Sequence, residues 1–403
     1  MNTKGMTNIL SDRINKMAVS ATLAMAKKAR ELKQQGADVI SLSLGEPDFD
    51  TPSHIIEAAK TALDEGHTRY TPVAGYLDLR EAISEKFKRD NDLDYSADQI
   101  VVSTGAKHSI MNVIMSTVNP GEEVIIPAPF WVSYTEMVKL AGGVPVILES
   151  DFSSDYKFDL NALKTALNER TKLFLFSSPC NPSGSVFNQE ELDQIADIIS
   201  EYPQVHVISD EIYEHINYGA KHYSIGNCES LKGRVITVNG VSKGFAMTGW
   251  RIGYIGAPQS IAKACEKLQG QFTSGANAAA QRAALEAITG SLEPTMEMKK
   301  AFQARRTLIC DLLNEMEGMK PNFPEGAFYV FPDVSAYFGK SNGEITIENS
   351  MDLSLYLLDQ AHVSVVAGSA FGNEECLRIS YAASEEQIRE AMSRIKKALD
   401  KLK

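Results

Sequence analysis

The chain has 403 residues, of which 44% are apolar and 23% charged, with a formal net charge of −12. That length exceeds one ordinary core of about 100–200 residues, so two domains sharing an interface are expected, and the ordinary apolar fraction argues against disorder. The acidic balance leaves no basic stripe to neutralise phosphates and gives a nucleic-acid partner no support.

The N-terminal stretch MNTKGMTNILSDRINKM lacks an apolar signal core, and no run approaches the roughly 20 apolar residues that cross a bilayer, so a cytoplasmic address and no membrane partner are expected. Cys180, Cys228, Cys265, Cys310 and Cys376 are widely spaced without a C-x-x-C pair and read as reduced thiols. Residues 20–36 read as a helix with Ser20 as cap, Leu23, Ala26, Ala29 and Leu32 along one face and Gly36 as terminator.

From about residue 98, short β-branched runs alternate with helical patterns: QIVVSTG, EVIIPAP, VPVILES, LFLFSSP, VHVISDE, VITVNGV and GYIGAP. This alternation indicates an α/β sheet. Between LFLF and VHVI, NQEELDQIADIIS predicts a crossover helix, with Asn188 and Glu191 as a capping box. After about residue 300 the pattern changes to a long helix (AFQARRTLICDLLNEM), strands in GAFYVFPDV, VSVVAG and LRISYA, and a last helix in SEEQIREAMSRIKKAL. The expected division is 1–50 as an N-terminal arm and part of a small domain, 51–299 as a large domain, and 300–403 as the rest of the small domain.

Chemistry collects at the carboxyl ends of strands in such sheets, and several polar turns follow the runs. STGAKHS follows IVV and precedes a helical pattern, so Gly105, Ala106 and Lys107 would offer backbone N–H groups to an anion. Trp131, one of two tryptophans, follows EVIIP; its face suits an aromatic ring or plain core packing. The turn SSPCNPSG presents Asn181, or is mere punctuation. Asp210 and Tyr213 follow VHVI, where a carboxylate could pair with a protonated heterocycle, or Asp210 or Glu211 could cap the next turn. GVSKGFAMTGWRIGY follows VITVN and carries Lys243 and Arg251. They are either a lysine able to bond an aldehyde cofactor beside an arginine for its phosphate, or two solvated cations. Arg378 opens the apolar strand LRISYA and wants a carboxylate, whether a ligand's or an internal one.

Together, GEPDFDTP, YTPVAGYLDLREAI, NPSG, SDEIY, RISYA and the lysine signature Gly240, Ser242, Lys243, Ala246, Gly249, Arg251 and Gly253 resemble the class I, fold type I aminotransferases. The likeness runs from about residue 14 to the C-terminus. It implies a large domain with a mainly parallel seven-stranded sheet flanked by helices, a smaller α+β domain from both chain ends, pyridoxal 5′-phosphate as cofactor, and a homodimer with shared active sites. Lys243 would carry the cofactor covalently and then move the substrate's Cα proton. Asp210 would pair with the pyridine nitrogen, Tyr213 and Asn181 would contact the ring oxygen, and Trp131 would stack on the ring. Gly105, Ala106 and Arg251 would hold the phosphate, helped by Tyr70 across the dimer interface. Arg378, with the backbone at Gly45, would bind the substrate α-carboxylate.

LQGQFTSGAN, where some relatives carry an arginine for the distal carboxylate, has none; Lys107 with Ser20 and Thr22 matches a bacterial branch that uses a lysine there. The resemblance therefore implies reversible amino transfer from aspartate to 2-oxoglutarate, giving oxaloacetate and glutamate. Prephenate or aromatic amino transfer on the same fold is the near alternative and a β-lyase a more distant one. Gly240 departs from relatives that place a phosphate-binding serine there. A dinucleotide dehydrogenase is disfavoured because the chain has no G-x-G, and no metal site is expected because the seven histidines show no ligand spacing.

Overall fold

The computed structural model describes residues 9–219 and 221–403; residues 1–8 of the expected N-terminal arm lie outside them. All seven β-branched runs form strands of one sheet, ordered in space Ile100–Ser103, Gly253–Gly256, Val235–Gly240, His206–Asp210, Thr171–Ser177, Glu123–Pro127 and Val144–Leu148. Gly253–Gly256 runs antiparallel to both of its neighbours, and every other pair is parallel. Central strands of such a sheet are covered on both faces, which is why they read as continuous apolar runs.

Alternate residues feed opposite cores, as the two-residue strand period requires. Val124, Ile126, Leu173, Leu175, Ile208 and Val238 pack on one side with Ile110, Val113 and Ile114 of the helix Ala106–Thr117. Ile125, Phe174, Phe176 and Val207 pack on the other with Leu192, Ile195 and Ile199 of the helix Gln189–Ser200, whose Asn188 and Glu191 form the expected capping box.

The helix Ala21–Gln34 forms as expected but presents Met25, Ala26 and Ala29 to the interior; Leu23, expected on that face, is 62% exposed. Ser20 precedes the helix without a side-chain capping bond, which frees its hydroxyl for other work. Near the C-terminus, Val366–Ala367, Leu377–Ser380 and Tyr329–Val330 make a three-stranded antiparallel sheet, and Ile40–Ser41 pairs in parallel with Val363–Ser364. Ile40 and Leu42 thereby join one core with Phe302, Leu353, Ile379 and Ile388. The long helix runs Glu293–Asn314, starting ahead of the expected residue 301 because Pro294 in its first turn is compatible with helix. It therefore crosses residues 299 and 300. Among the described residues no helix is long and apolar enough to cross a membrane.

Candidate active site

The strands Ile100–Ser103, Val235–Gly240, His206–Asp210, Thr171–Ser177 and Glu123–Pro127 all end at one edge of the sheet. Gly253 opens the antiparallel strand opposite both Ser103 and Gly240 and so brings Arg251 to the same edge. A cavity of about 430 Å³ opens there, lined by Ser20, Thr22, Gly45, Ala106, Lys107, Trp131, Asn181, Asp210, Tyr213, Lys243, Arg251 and Arg378. These residues are scattered through the chain, and the fold places them around one space. Two expected residues are not among its lining. Gly105 lies directly behind it, against Arg251. Tyr70 is 99% exposed on the surface of this chain.

Lys243 extends its Nζ towards the carbonyl of Gly45, to which it donates, and lies 5.7 Å from the centre of the Tyr213 ring. Burial, reinforced by the positive charge of Arg378, lowers its ammonium to about 8. An amine so placed is neutral for about a tenth of the time at pH 7, against well under a thousandth for an ordinary lysine. Asp210 is buried, and burial raises its carboxyl to about 6 despite a hydrogen bond donated by Tyr134 Oη to Oδ2 at 2.7 Å. The two groups therefore sit near neutrality from opposite directions, as ionisable groups in a ligand site commonly do.

Arg378 is 2% exposed and has no carboxylate partner among the described residues. Its Nη1 donates to Asn181 Oδ1 at 3.0 Å and its Nη2 to the Ser43 carbonyl, while Nε has no hydrogen-bond partner. The guanidinium lies over Tyr329, 4.6 Å from the ring centre, and Tyr329 Oη shares a 2.8 Å hydrogen bond with Tyr213 Oη. The internal salt bridge that the sequence left open does not form. A buried guanidinium without an anion is costly on its own, so the geometry calls for an anionic ligand.

Lys107 Nζ lies 4.8 Å from the centre of the Trp131 ring, and burial lowers its ammonium. The helix Ala106–Thr117 starts without a side-chain cap; Gly105 before it has φ +85°, and a Cβ there would collide with the Arg251 guanidinium. An uncapped helix N-terminus beside an arginine is an anion cradle. Gly240 is equally constrained: a Cβ would lie 2.9 Å from both Gly253 Cα and the Ile252 carbonyl oxygen. The missing serine is thus the consequence of two strands in close contact.

Sequence reading missed Tyr134 and Tyr329, and named Glu46, Ser242 and Thr248 only within motifs. Glu46 and Thr248 hydrogen-bond to each other at the cavity wall. Tyr134 stood three residues from Trp131, which was the available signal; Tyr329 lies inside an apolar strand and gave none. His108 accepts from the Thr104 N–H and lies outside the cavity lining. No histidine spacing anticipated that His222 pairs with Glu211 at 2.9 Å and stands with Glu214, itself ion-paired to Lys86, in a buried cluster.

A cavity at the carboxyl edge of a mainly parallel sheet, with a half-buried lysine of lowered basicity, a buried acid and an uncapped helix beside an arginine, defines a group-transfer enzyme of the α/β class. The family model for aminotransferases of class I and II matches residues 37–395. The chain belongs to that family and is a transaminase, moving amino groups between amino acids and 2-oxo acids. It is 49% identical over 98% of its length to a bifunctional aspartate aminotransferase and glutamate/aspartate-prephenate aminotransferase of Petunia hybrida, covering 83% of that protein. It is 47% identical over 96% of its length to a probable aspartate/prephenate aminotransferase of Rhizobium leguminosarum, covering 98% of that protein. Among solved structures, the aspartate aminotransferase of Rhizobium meliloti superposes with a TM-score of 0.95 at 41% identity, over 99% of this chain and 100% of that one. The Thermus thermophilus aspartate aminotransferase with maleate gives 0.92 at 39%, over 97% and 100%.

Proposed function

We propose that the cavity holds pyridoxal 5′-phosphate and that the enzyme transfers the amino group of aspartate to 2-oxoglutarate. One observation carries this reading: two cations without carboxylate partners among the described residues, the half-buried Lys243 and the buried Arg378, face a buried carboxylate, Asp210, across a single cavity. Bound there, the cofactor supplies an aldehyde carbon that takes up an amine and a ring that accepts an electron pair. The residues fit it. The cradle of Gly105, Ala106 and Arg251 suits a phosphate, Trp131 offers a flat face, and Asp210 offers a carboxylate for a protonated ring nitrogen. Tyr213 and Asn181, which line the cavity and bond Tyr329 and Arg378, would serve a ring oxygen.

Lys243 Nζ has the basicity to act first as nucleophile and then as the base that removes the proton from the substrate α-carbon. Arg378, held by Asn181 and Ser43, lines the cavity and suits the α-carboxylate, with Gly45 beside it. Lys107, Ser20 and Thr22 share the cavity wall and suit a second carboxylate. Relatives named for aspartate, and a Thermus relative solved with maleate, a four-carbon dicarboxylate, support that choice. Prephenate, also a dicarboxylate, is the second reading, favoured by the names of the Petunia and Rhizobium proteins. We further infer a homodimer in which Tyr70 of each chain serves its partner's phosphate, domains that meet at the helix Glu293–Asn314, and a cytoplasmic address consistent with five unpaired thiols.

Lys107→Ala should cost transamination of aspartate about 1–3 kcal/mol more than that of phenylalanine, the worth of a charge-assisted hydrogen bond. Rates with oxaloacetate, prephenate and phenylpyruvate as acceptors, measured on both proteins, test it; equal losses for all would remove the assignment of Lys107.

A further inference from the structure

Asp210 closes the strand His206–Asp210, and its carboxylate is gripped on both oxygens. Oδ1 accepts the N–H of Ile212 at 3.3 Å, a long bond within its own turn, and Oδ2 accepts Tyr134 Oη–H at 2.7 Å. Tyr134 belongs to a different part of the chain, the first residue of the helix Tyr134–Leu140, and is 1% exposed. Its N–H bonds the Trp131 carbonyl at 3.0 Å, and its ring meets Trp131 edge-on at 5.5 Å. A single turn of backbone therefore orients both the flat face and the phenol that grips Asp210.

The other groups facing Asp210 are Glu211, of like charge and next in sequence, Lys243 across the cavity, and Tyr213 and Cys180, whose ionisation burial suppresses. Burial and Glu211 push the carboxyl towards its neutral form, and Lys243 is itself partly uncharged. Tyr134 is the one side chain among these that donates a short hydrogen bond to the carboxylate. Burial and the adjoining carboxylate hold the phenol well above its ordinary range, so it keeps its proton, and remains a donor, at every working pH.

We propose that Tyr134 is a positioning residue that holds Asp210 ionised and in a fixed plane, so that the site selects a cofactor protonated at its ring nitrogen. This rests on the reading that Asp210 meets that nitrogen. Tyr134 acts through the carboxylate and takes no proton in the reaction. Removing the donor leaves a buried acceptor unpaired, which favours the protonated acid. The consequence is dependent on pH: an Asp210 that holds its proton to higher pH loses its attraction for a pyridinium ligand at neutral and mildly acid pH, and regains it once it ionises.

The test uses apoenzyme, pyridoxal 5′-phosphate and quenching of tryptophan fluorescence, with affinity measured between pH 5.5 and 8.5 for wild type, Tyr134→Phe, Asp210→Asn and the double variant. The ratio of Kd for Tyr134→Phe to that of wild type should be smallest near pH 8.5 and rise about fivefold by pH 6 and further below it, the effect of a shift of about one pKa unit. In the Asp210→Asn background Tyr134→Phe should change the affinity little at any pH, because the charge it served is gone. A ratio constant with pH, or an equal loss in both backgrounds, overturns the proposal and marks Tyr134 as packing only. If Asp210→Asn alone binds like wild type at all pH values, both the proposal and the pairing of Asp210 with the ring nitrogen fall. The double variant leaves no buried charge unpaired, so it separates a folding defect of Tyr134→Phe from a loss of function.

Discussion

Single residues in this molecule carry energies that folding alone would not select. Asp210 ionises near pH 6 because burial disfavours its charge. A carboxyl raised from its ordinary 3.8 binds a proton more tightly folded than unfolded. Its contribution to stability is present below about pH 4 and is lost as pH rises through 6. A shift of about two units corresponds to about 3 kcal/mol. Asp210→Asn, whose amide oxygen can still accept from Tyr134, should therefore stabilise the apoenzyme at pH 8 by up to that order and leave it little changed at pH 4. Chemical denaturation at the two pH values checks this, and equal effects would contradict a carboxylate held charged against burial. Most residues of the site were legible from sequence because each follows a strand end with a chemistry-bearing side chain: Asp210, Lys243, Asn181 and Trp131. Tyr134 and Tyr329 were not, because an aromatic beside a helix start or within an apolar strand has the same pattern whether it packs or grips a functional group.

At the scale of elements, the uncapped helix Ala106–Thr117 is the part built for an anion. Gly105→Ala places a Cβ in left-handed backbone and against Arg251, so it should weaken phosphate binding. The expectation is a loss of cofactor affinity of at least tenfold by equilibrium dialysis, with a smaller loss for pyridoxal lacking the phosphate. The same loss for both compounds would show that the loop holds something other than phosphate. Local patterns revealed every strand of the main sheet and the capping box of Gln189–Ser200, though not that of Glu385–Leu399. They could not reveal that Gly253–Gly256 inserts antiparallel between Ile100–Ser103 and Val235–Gly240. Strand order depends on contacts between segments that local patterns do not encode, and an antiparallel strand buried on both faces reads like its parallel neighbours. Leu23 went astray for a related reason: helical spacing identifies an apolar stripe, and here that residue lines the cavity instead of the core.

For the whole molecule, the proposed homodimer would cover apolar side chains that the single chain exposes. Val19, Tyr70 and Phe272 are 82%, 99% and 70% exposed. Sedimentation equilibrium should give twice the chain mass, and Tyr70→Phe should reduce cofactor retention without altering that mass. A monomer that keeps full activity would contradict the shared-site reading. Three apolar cores on the sheet and a fourth built from Glu293–Asn314, Ser350–Ala361 and Glu385–Leu399 make the frame. Against it the unpaired charges of the site can persist, since the frame holds them where a ligand, and not a neighbouring side chain, must neutralise them.

The proposed reaction depends on a covalent bond between Lys243 and the cofactor's aldehyde carbon. Protein loaded with pyridoxal 5′-phosphate, reduced with borohydride and digested with trypsin should yield one modified peptide, spanning residues 235–251, with the added mass on Lys243. Label on another lysine, or a protein that absorbs in the visible and carries no label at Lys243, would contradict the account.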